Sequence, residues 1–228
     1  MAKLTWHGHA CFEVETGKGR ILIDPFLSGN PKADIGPDDV EGIDAIVVSH
    51  GHGDHWGDTV AIAKRTGAVV VAAYELAQLA QDRGCKSHGM ACGGGHAFDF
   101  GHVKLVPAAH GSLTEADPKY STNPCGIVIT ADGKTLYHAG DTALTADLRL
   151  LGELYRFDCV CLPIGDNFTM GPADALIAVQ WLAPKMVVPM HYDTFDLIAQ
   201  DAEAWKKDVE RVGHTKCAVL QPGGSAEY

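Results

Sequence analysis

Residues 50–55 read His-Gly-His-Gly-Asp-His, which sets three imidazoles and one carboxylate within six positions. Imidazole nitrogens and carboxylate oxygens are both good ligands for divalent first-row metals. The motif follows directly on the apolar run Ala45-Ile46-Val47-Val48. Gly51 and Gly53 lack a Cβ, so the backbone is free to coil tightly and turn alternate side chains inward. This spacing points to a metal site.

Three more ligand-type residues stand in equivalent places. Val47-Val48-Ser49 leads to His50, and Leu105-Val106-Pro107-Ala108-Ala109 leads to His110. Leu136-Tyr137-His138-Ala139-Gly140 leads to Asp141, and Val187-Val188-Pro189-Met190 leads to His191. Sites in α/β proteins collect beyond the carboxyl ends of strands. Four such ends meeting at one rim would supply His50, His52, Asp54, His55, His110, Asp141 and His191.

The elements that must position them alternate along the chain. Strands are expected over residues 3–6, 11–15, 20–23 and 42–49. A helix over 58–65 stops at Gly67, a buried strand covers 69–72, and a helix over 74–83 closes at Gly84. Residues 85–102, rich in glycine and histidine, read as a hairpin and turns before a strand at 103–106. Strands at 127–130 and 135–138 flank Ala131-Asp132-Gly133, a good hairpin turn. A helix over 147–154 and a strand over 159–162 follow. Gly171-Pro172 then starts a helix that runs to Leu182 and is halted by Pro184. The remainder reads as a strand at 186–188, an amphipathic helix at 201–211 with Trp205 on its core face, and a last strand at 217–220. No linker interrupts the alternation, so residues 1–228 read as a single α/β domain.

The pattern resembles the metallo-β-lactamase superfamily, whose hallmark is HxHxDH followed by a distant His, an Asp and a last His. Ile23-Asp24-Pro25-Phe26-Leu27-Ser28-Gly29-Asn30-Pro31, Tyr137-His138-Ala139-Gly140-Asp141-Thr142, Pro163-Ile164-Gly165, Phe168-Thr169-Met170 and Pro189-Met190-His191-Tyr192 resemble one branch of it. That branch is the small prokaryotic metal-dependent hydrolases, near the ascorbate-6-phosphate lactonases and the N-acylphosphatidylethanolamine phospholipase D group. The resemblance covers nearly the whole chain. It implies a four-layer αββα sandwich, two stacked mixed sheets flanked by helices with the metals at one edge. It also implies that His50, His52 and His110 hold one metal, that Asp54, His55 and His191 hold a second, and that Asp141 bridges them.

The expected activity of a dinuclear centre of this kind is hydrolysis. Two ions roughly 3.5–4 Å apart can share a water and lower its pKa towards about 7. The resulting metal-bound hydroxide would cleave an ester, a lactone or a phosphodiester in a small molecule. Asp54 is the expected catalytic residue, orienting the nucleophile or receiving its proton while also ligating. Zinc is the first expectation, with manganese, nickel or iron compatible with the same donors. The diiron flavoprotein branch carries Glu at the position of His52, so histidine there favours hydrolysis. An iron-dependent oxygenase or oxidoreductase on the same ligands, or a metal-binding protein without catalysis, are the alternatives.

Composition narrows the partners. The net charge of −11 is spread along the chain without the clustered Lys and Arg of a nucleic-acid-binding face. No run approaches the ~18 apolar residues of a membrane span, and the first residues lack a signal-peptide core. Seven scattered cysteines, odd in number and without a CxxC pair, suit reduced thiols and a cytoplasmic location. A homo-oligomer is expected only at superfamily level.

Other residues carry weaker signals. Asp24 is expected beneath the histidine loop, fixing histidine tautomers. His9 could contact substrate or cap a turn. Asp166, Asn167 and Thr169 could shape the pocket, and Ser28, Asn30, Ser112, Thr142 and Thr169 could meet a phosphate. His138 is expected to hydrogen-bond within the sheet. Cys85, His88, Cys92, His96 and His102 fit no common zinc spacing.

Overall fold

The computed structural model describes residues 2–228. Its strands are β1 (Lys3–Trp6), β2 (Phe12–Thr16), β3 (Gly19–Ile23), β4 (Ala45–Val47), β5 (Val69–Ala73), β6 (Ser87–Met90), β7 (Gly95–Phe98), β8 (Gly101–Pro107), β9 (Cys125–Ala131), β10 (Lys134–His138), β11 (Cys159–Pro163), β12 (Met186–Met190), β13 (Lys216–Cys217) and β14 (Ser225–Glu227). Its helices are α1 (Gly53–Trp56), α2 (Thr59–Thr66), α3 (Tyr74–Asp82), α4 (Ala146–Leu154), α5 (Pro172–Leu182) and α6 (Ala202–Val212).

The strands form two sheets of seven, ordered β14-β1-β2-β3-β4-β5-β6 and β13-β12-β11-β10-β9-β8-β7. In each, an antiparallel half passes into a parallel half, at β3–β4 in the first sheet and β10–β11 in the second. β4 and β5 of the first sheet are apolar at every position because both of their faces are covered. Ile21, Ile23, Ala45, Val47, Val71 and Ala73 point into the core between the sheets. Their neighbours Leu22, Ile46, Val48, Val70 and Ala72 pack under Ile62 of α2 and Leu76 and Leu79 of α3. The second sheet is covered by α4, α5 and α6 through Leu148, Leu151, Val179, Leu182, Trp205 and Val209. Helix, sheet, sheet and helix thus form the four expected layers.

Several local expectations hold for their stated reasons. Gly67 sits in the left-handed region at φ 78° and closes α2. Asp132 and Gly133, at φ 53° and 72°, make the two-residue turn between β9 and β10. Pro172 occupies the first turn of α5.

Two expectations need correction. The hairpin expected within residues 85–102 forms only from Gly95 onward, between β7 and β8, and the residues before it belong to the other sheet. β6 pairs parallel with β5 in the first sheet, and β7 opens the second sheet against β8. The last strand is not 217–220. β13 spans only Lys216–Cys217, and the chain returns to the first sheet as β14, antiparallel to β1.

Candidate metal centre

The strand directions bring the ligand-type residues together. β8 and β10 both run antiparallel to β9 and therefore point the same way, and β11 and β12 continue parallel to β10. Val47, Pro107 and His138 end their strands three residues before His50, His110 and Asp141, and Met190 immediately precedes His191. His52 starts the single turn of α1, which carries Asp54 and His55. All seven side chains meet at one edge of the sandwich.

Gly51 has a different use from the one expected. Its backbone is not in the left-handed region. A Cβ there would lie 2.3 Å from Thr114 Oγ1 and 2.9 Å from Thr114 Cα. The glycine makes room for the 112–115 loop to close over the histidine motif.

Two ligand sets emerge, within each of which the ligand atoms lie no more than 4.8 Å apart, and a third group of the same tightness, His50, His55 and Asp141, joins them. In the first, His52 Nδ1 stands 3.0 Å from His50 Nε2 and 3.3 Å from His110 Nε2. The second gathers Asp54, His55 and His191, together with His9. Two atoms bound to one ion at about 2.0–2.2 Å lie roughly 3.0–3.6 Å apart, so the first triad has the spacing of a coordination shell. Asp141 lies between the sets. Its Oδ2 is 3.4 Å from His110 Nε2 and 3.1 Å from His191 Nε2, and its Oδ1 is 3.2 Å from His55 Nε2. His55 Nε2, Asp141 Oδ1 and His191 Nε2 are buried without a hydrogen bond. Buried polar atoms are rarely left so, and a shared cation is the partner this donor set fits.

The surrounding hydrogen bonds orient the rings. Asp24 is fully buried and accepts from His55 Nδ1 at 2.7 Å, Ser49 N at 2.7 Å and Ser49 Oγ at 2.6 Å. Because Ser49 Oγ donates to Asp24, its oxygen is left to accept from His50 Nδ1 at 3.0 Å. Nδ1 is therefore the donating nitrogen of both His50 and His55, and Nε2 of each is the atom turned to the centre, free to ligate once it carries no proton. Thr142 Oγ1 accepts from Ala109 N at 3.0 Å, and Ala143 N donates to Ala109 O at 3.0 Å. These two bonds lock the Asp141 loop to the His110 loop.

Electrostatics follow from burial and from the three carboxylates. Burial, then the neighbouring His55, holds the His50 imidazole well below its ordinary value. Burial alone would lower His55, but Asp141, Asp54 and Asp24 outweigh it and hold that ring well above. Burial likewise opposes a charged His191, yet Asp141 and Asp54 push it up to about 9. Burial disfavours ionised Asp54, but the neighbouring His55 and His191 and the hydrogen bond with His9 keep its carboxyl below the usual carboxylate range. Without metal, the second set is a protonated pair of histidines neutralised by aspartates.

His9 is fully buried at φ 56°. Its Nε2 lies 3.0 Å from Asp54 Oδ2 and its Nδ1 2.7 Å from Thr194 Oγ1. Burial, then His191, pushes the ring down to about 4, so it is neutral. Donation from Nε2 to Asp54, with Nδ1 accepting from the Thr194 hydroxyl, satisfies all three groups. His9 thus meets the Asp54 carboxylate and buttresses the second set.

The cavity over the centre, about 230 Å³, is lined by His52, Asp54, His110, Glu115, Asp141, Phe168, His191 and Phe195. Neither Asp166 nor Thr169 lines it, and the residue between them, Phe168, takes that place. The residues considered for phosphate have other partners. Asn30 bridges Phe26 O and Lys32 N, Ser112 Oγ accepts from Gly51 N, and the Thr142 and Thr169 hydroxyls donate to backbone carbonyls. Ser28 is exposed, its backbone N–H donating to Asp58. His138 hydrogen-bonds Ala10 O and Gly140 N, as a structural histidine. Among the described residues, Cys85, His88, Cys92, His96 and His102 form no metal-like cluster. Sequence reasoning missed Ser49, Glu115, Phe168, Thr194 and Phe195. The available signal was position: each lies within five residues of a candidate ligand or inside a quoted motif.

The sequence model of a family described as a β-lactamase superfamily domain matches residues 3–191. A UPF0173 metal-dependent hydrolase of Bacillus cereus is 52% identical over 227 residues, covering 98% of each chain. Igni18, a metallo hydrolase of Ignicoccus hospitalis, superposes with a TM-score of 0.92 at 37% identity, over 100% of this chain and 99% of that one. An isothiocyanate hydrolase from Delia radicum gut bacteria, 22% identical, shares the fold at a TM-score of 0.78 over 99% and 98% of the two chains.

Proposed function

This chain belongs to the metal-dependent hydrolases of the β-lactamase superfamily, and on that premise we propose that it is a dinuclear enzyme cleaving an ester, a lactone or a phosphodiester in a small molecule. The observation that carries the dinuclear reading is Asp141, whose Oδ2 faces His110 of one set and His191 of the other while its Oδ1 faces His55. His50, His52 and His110 would hold one divalent ion and Asp54, His55 and His191 the other, with zinc the first expectation and manganese, nickel or iron fitting the same donors.

The ions would supply a water acidified towards neutral pH and positive charge where the leaving oxygen departs. The chain's own groups do the rest. Asp54 is partly open to the cavity, with 27% of its side chain exposed, so its carboxylate would orient the attacking water or take its proton. His9 holds that carboxylate in place through its Nε2. Asp24 and Ser49 keep the lone pairs of His55 and His50 turned inward. The small cavity suits a small-molecule substrate, and no helix among the described residues is long and apolar enough to cross a membrane.

The test is metal per chain in protein purified without added metal, combined with hydrolysis of ester, lactone and phosphodiester panels before and after chelation. About two equivalents, with activity lost on chelation and restored by metal, supports the reading. One equivalent with full activity sinks the dinuclear form of it.

A further inference from the structure

Five of the seven phenylalanines are sheltered, and the two that are exposed, Phe168 at 52% and Phe195 at 43%, both line the cavity over the metal centre. An exposed aromatic is ordinary when it stands alone on a surface, whereas two on the rim of one small cavity form a binding surface. Each ring is held out by unusual backbone. Asp166 and Asn167, at φ 60° and 50°, precede Phe168 in a tight turn closed by Thr169 N donating to Asp166 O and pinned by Met170 N donating to Thr142 O. His191 and Asp193, at φ 54° and 58°, precede Phe195. Left-handed non-glycine residues cost energy, and such strain persists where the surroundings impose it, commonly at ligand sites. Both turns are anchored to residues of the centre itself, through Thr142 beside Asp141 and through His191.

With its histidines neutral as metal ligands, the rest of the wall has one charge sign. It contributes the Asp54, Asp141 and Glu115 carboxylates and no lysine or arginine. Beyond the metals, an anionic group on a substrate would meet no cation and would face Glu115. A volume of about 230 Å³ lies below the ~300–1,000 Å³ of pockets for drug-sized ligands. It suits one ring and a reactive group.

We propose that this mouth selects an ester or lactone whose non-reacting end is an uncharged apolar ring received by Phe168 and Phe195, and that it discriminates against anionic tails. The proposal rests on the metal-hydrolase reading above, and the following experiment separates the two. Acetohydroxamate, phenylacetohydroxamate and the monohydroxamate of succinate share one metal-binding head and differ only in the tail. Calorimetric titration of the metal-loaded protein should show the phenyl tail tightening Kd roughly tenfold or more over the methyl tail, and the carboxylate tail giving no gain. In the Phe168→Ala/Phe195→Ala double variant the phenyl-to-methyl ratio should collapse towards one. Phe168→Arg should instead favour the carboxylate tail. Equal affinity for methyl and phenyl tails in the unaltered protein, or preference for the carboxylate, overturns the substrate class while leaving the metal centre standing. Failure of all three hydroxamates to bind overturns the metal reading, and this proposal with it.

Discussion

Asp24 Oδ2 accepts the Nδ1 proton of His55 at 2.7 Å, with both side chains wholly buried. The pair joins the end of β3 to α1 and fixes which nitrogen of His55 faces the metal centre. Asp24→Asn should weaken metal binding by roughly 10–100-fold, read by competition with a chromophoric chelator. Unchanged affinity in a folded variant would show that the carboxylate does not set the tautomer.

His52 Nδ1 sits between His50 Nε2 and His110 Nε2. His52→Ala should reduce bound metal from about two equivalents to about one and remove hydrolysis. Elemental analysis and a hydrolysis assay read the two effects separately. Full activity in this variant would end the proposed mechanism.

Metal uptake should release protons. His191, pushed up to about 9 by Asp141 and Asp54, and His55, held well above its ordinary value by the same carboxylates, are both charged at pH 7 before metal arrives. Calorimetry in buffers of differing ionisation enthalpy should find about two protons released per chain. Metal affinity should therefore rise with pH up to about 9. Release of none would contradict the charged pair.

The same shift predicts a pH-dependent stability of the metal-free protein. The folded-state value for His191 is raised from 6.5 to about 9. Its stabilising contribution is complete below 6.5 and is lost as pH rises through about 9. Thermal melts of metal-free protein should fall by on the order of 5 °C across that window, and metal-loaded protein should not show that fall.

His9→Gln should leave metal content intact and lower kcat by about 10–100-fold with little change in KM. The His9 hydrogen bond holds the Asp54 carboxyl down, so its removal should move the acid limb of the pH–rate profile upward. Thr194→Val should give a weaker form of the same change. A drop in kcat with no shift of that limb would assign His9 a purely structural role.

How much could be read in advance follows the reach of each signal. A metal restricts its ligands to a few residue types, and strand periodicity places those residues at element ends. The seven candidate ligands, the four layers, the Asp132-Gly133 turn and the Pro172 helix start were therefore all legible in the chain. Contacts between distant segments carry no such local mark. Thr194 reaches His9 across 185 positions and Asp24 reaches Ser49 across 25. The 85–102 segment divides between two sheets, and β14 returns to pair with β1, for reasons of long-range pairing rather than propensity. Phe168 and Phe195 look in sequence like two more core aromatics. Only tertiary closure, which holds them out on left-handed turns over the metal centre, makes them its rim, because exposure belongs to the assembled surface and not to any local run of residues.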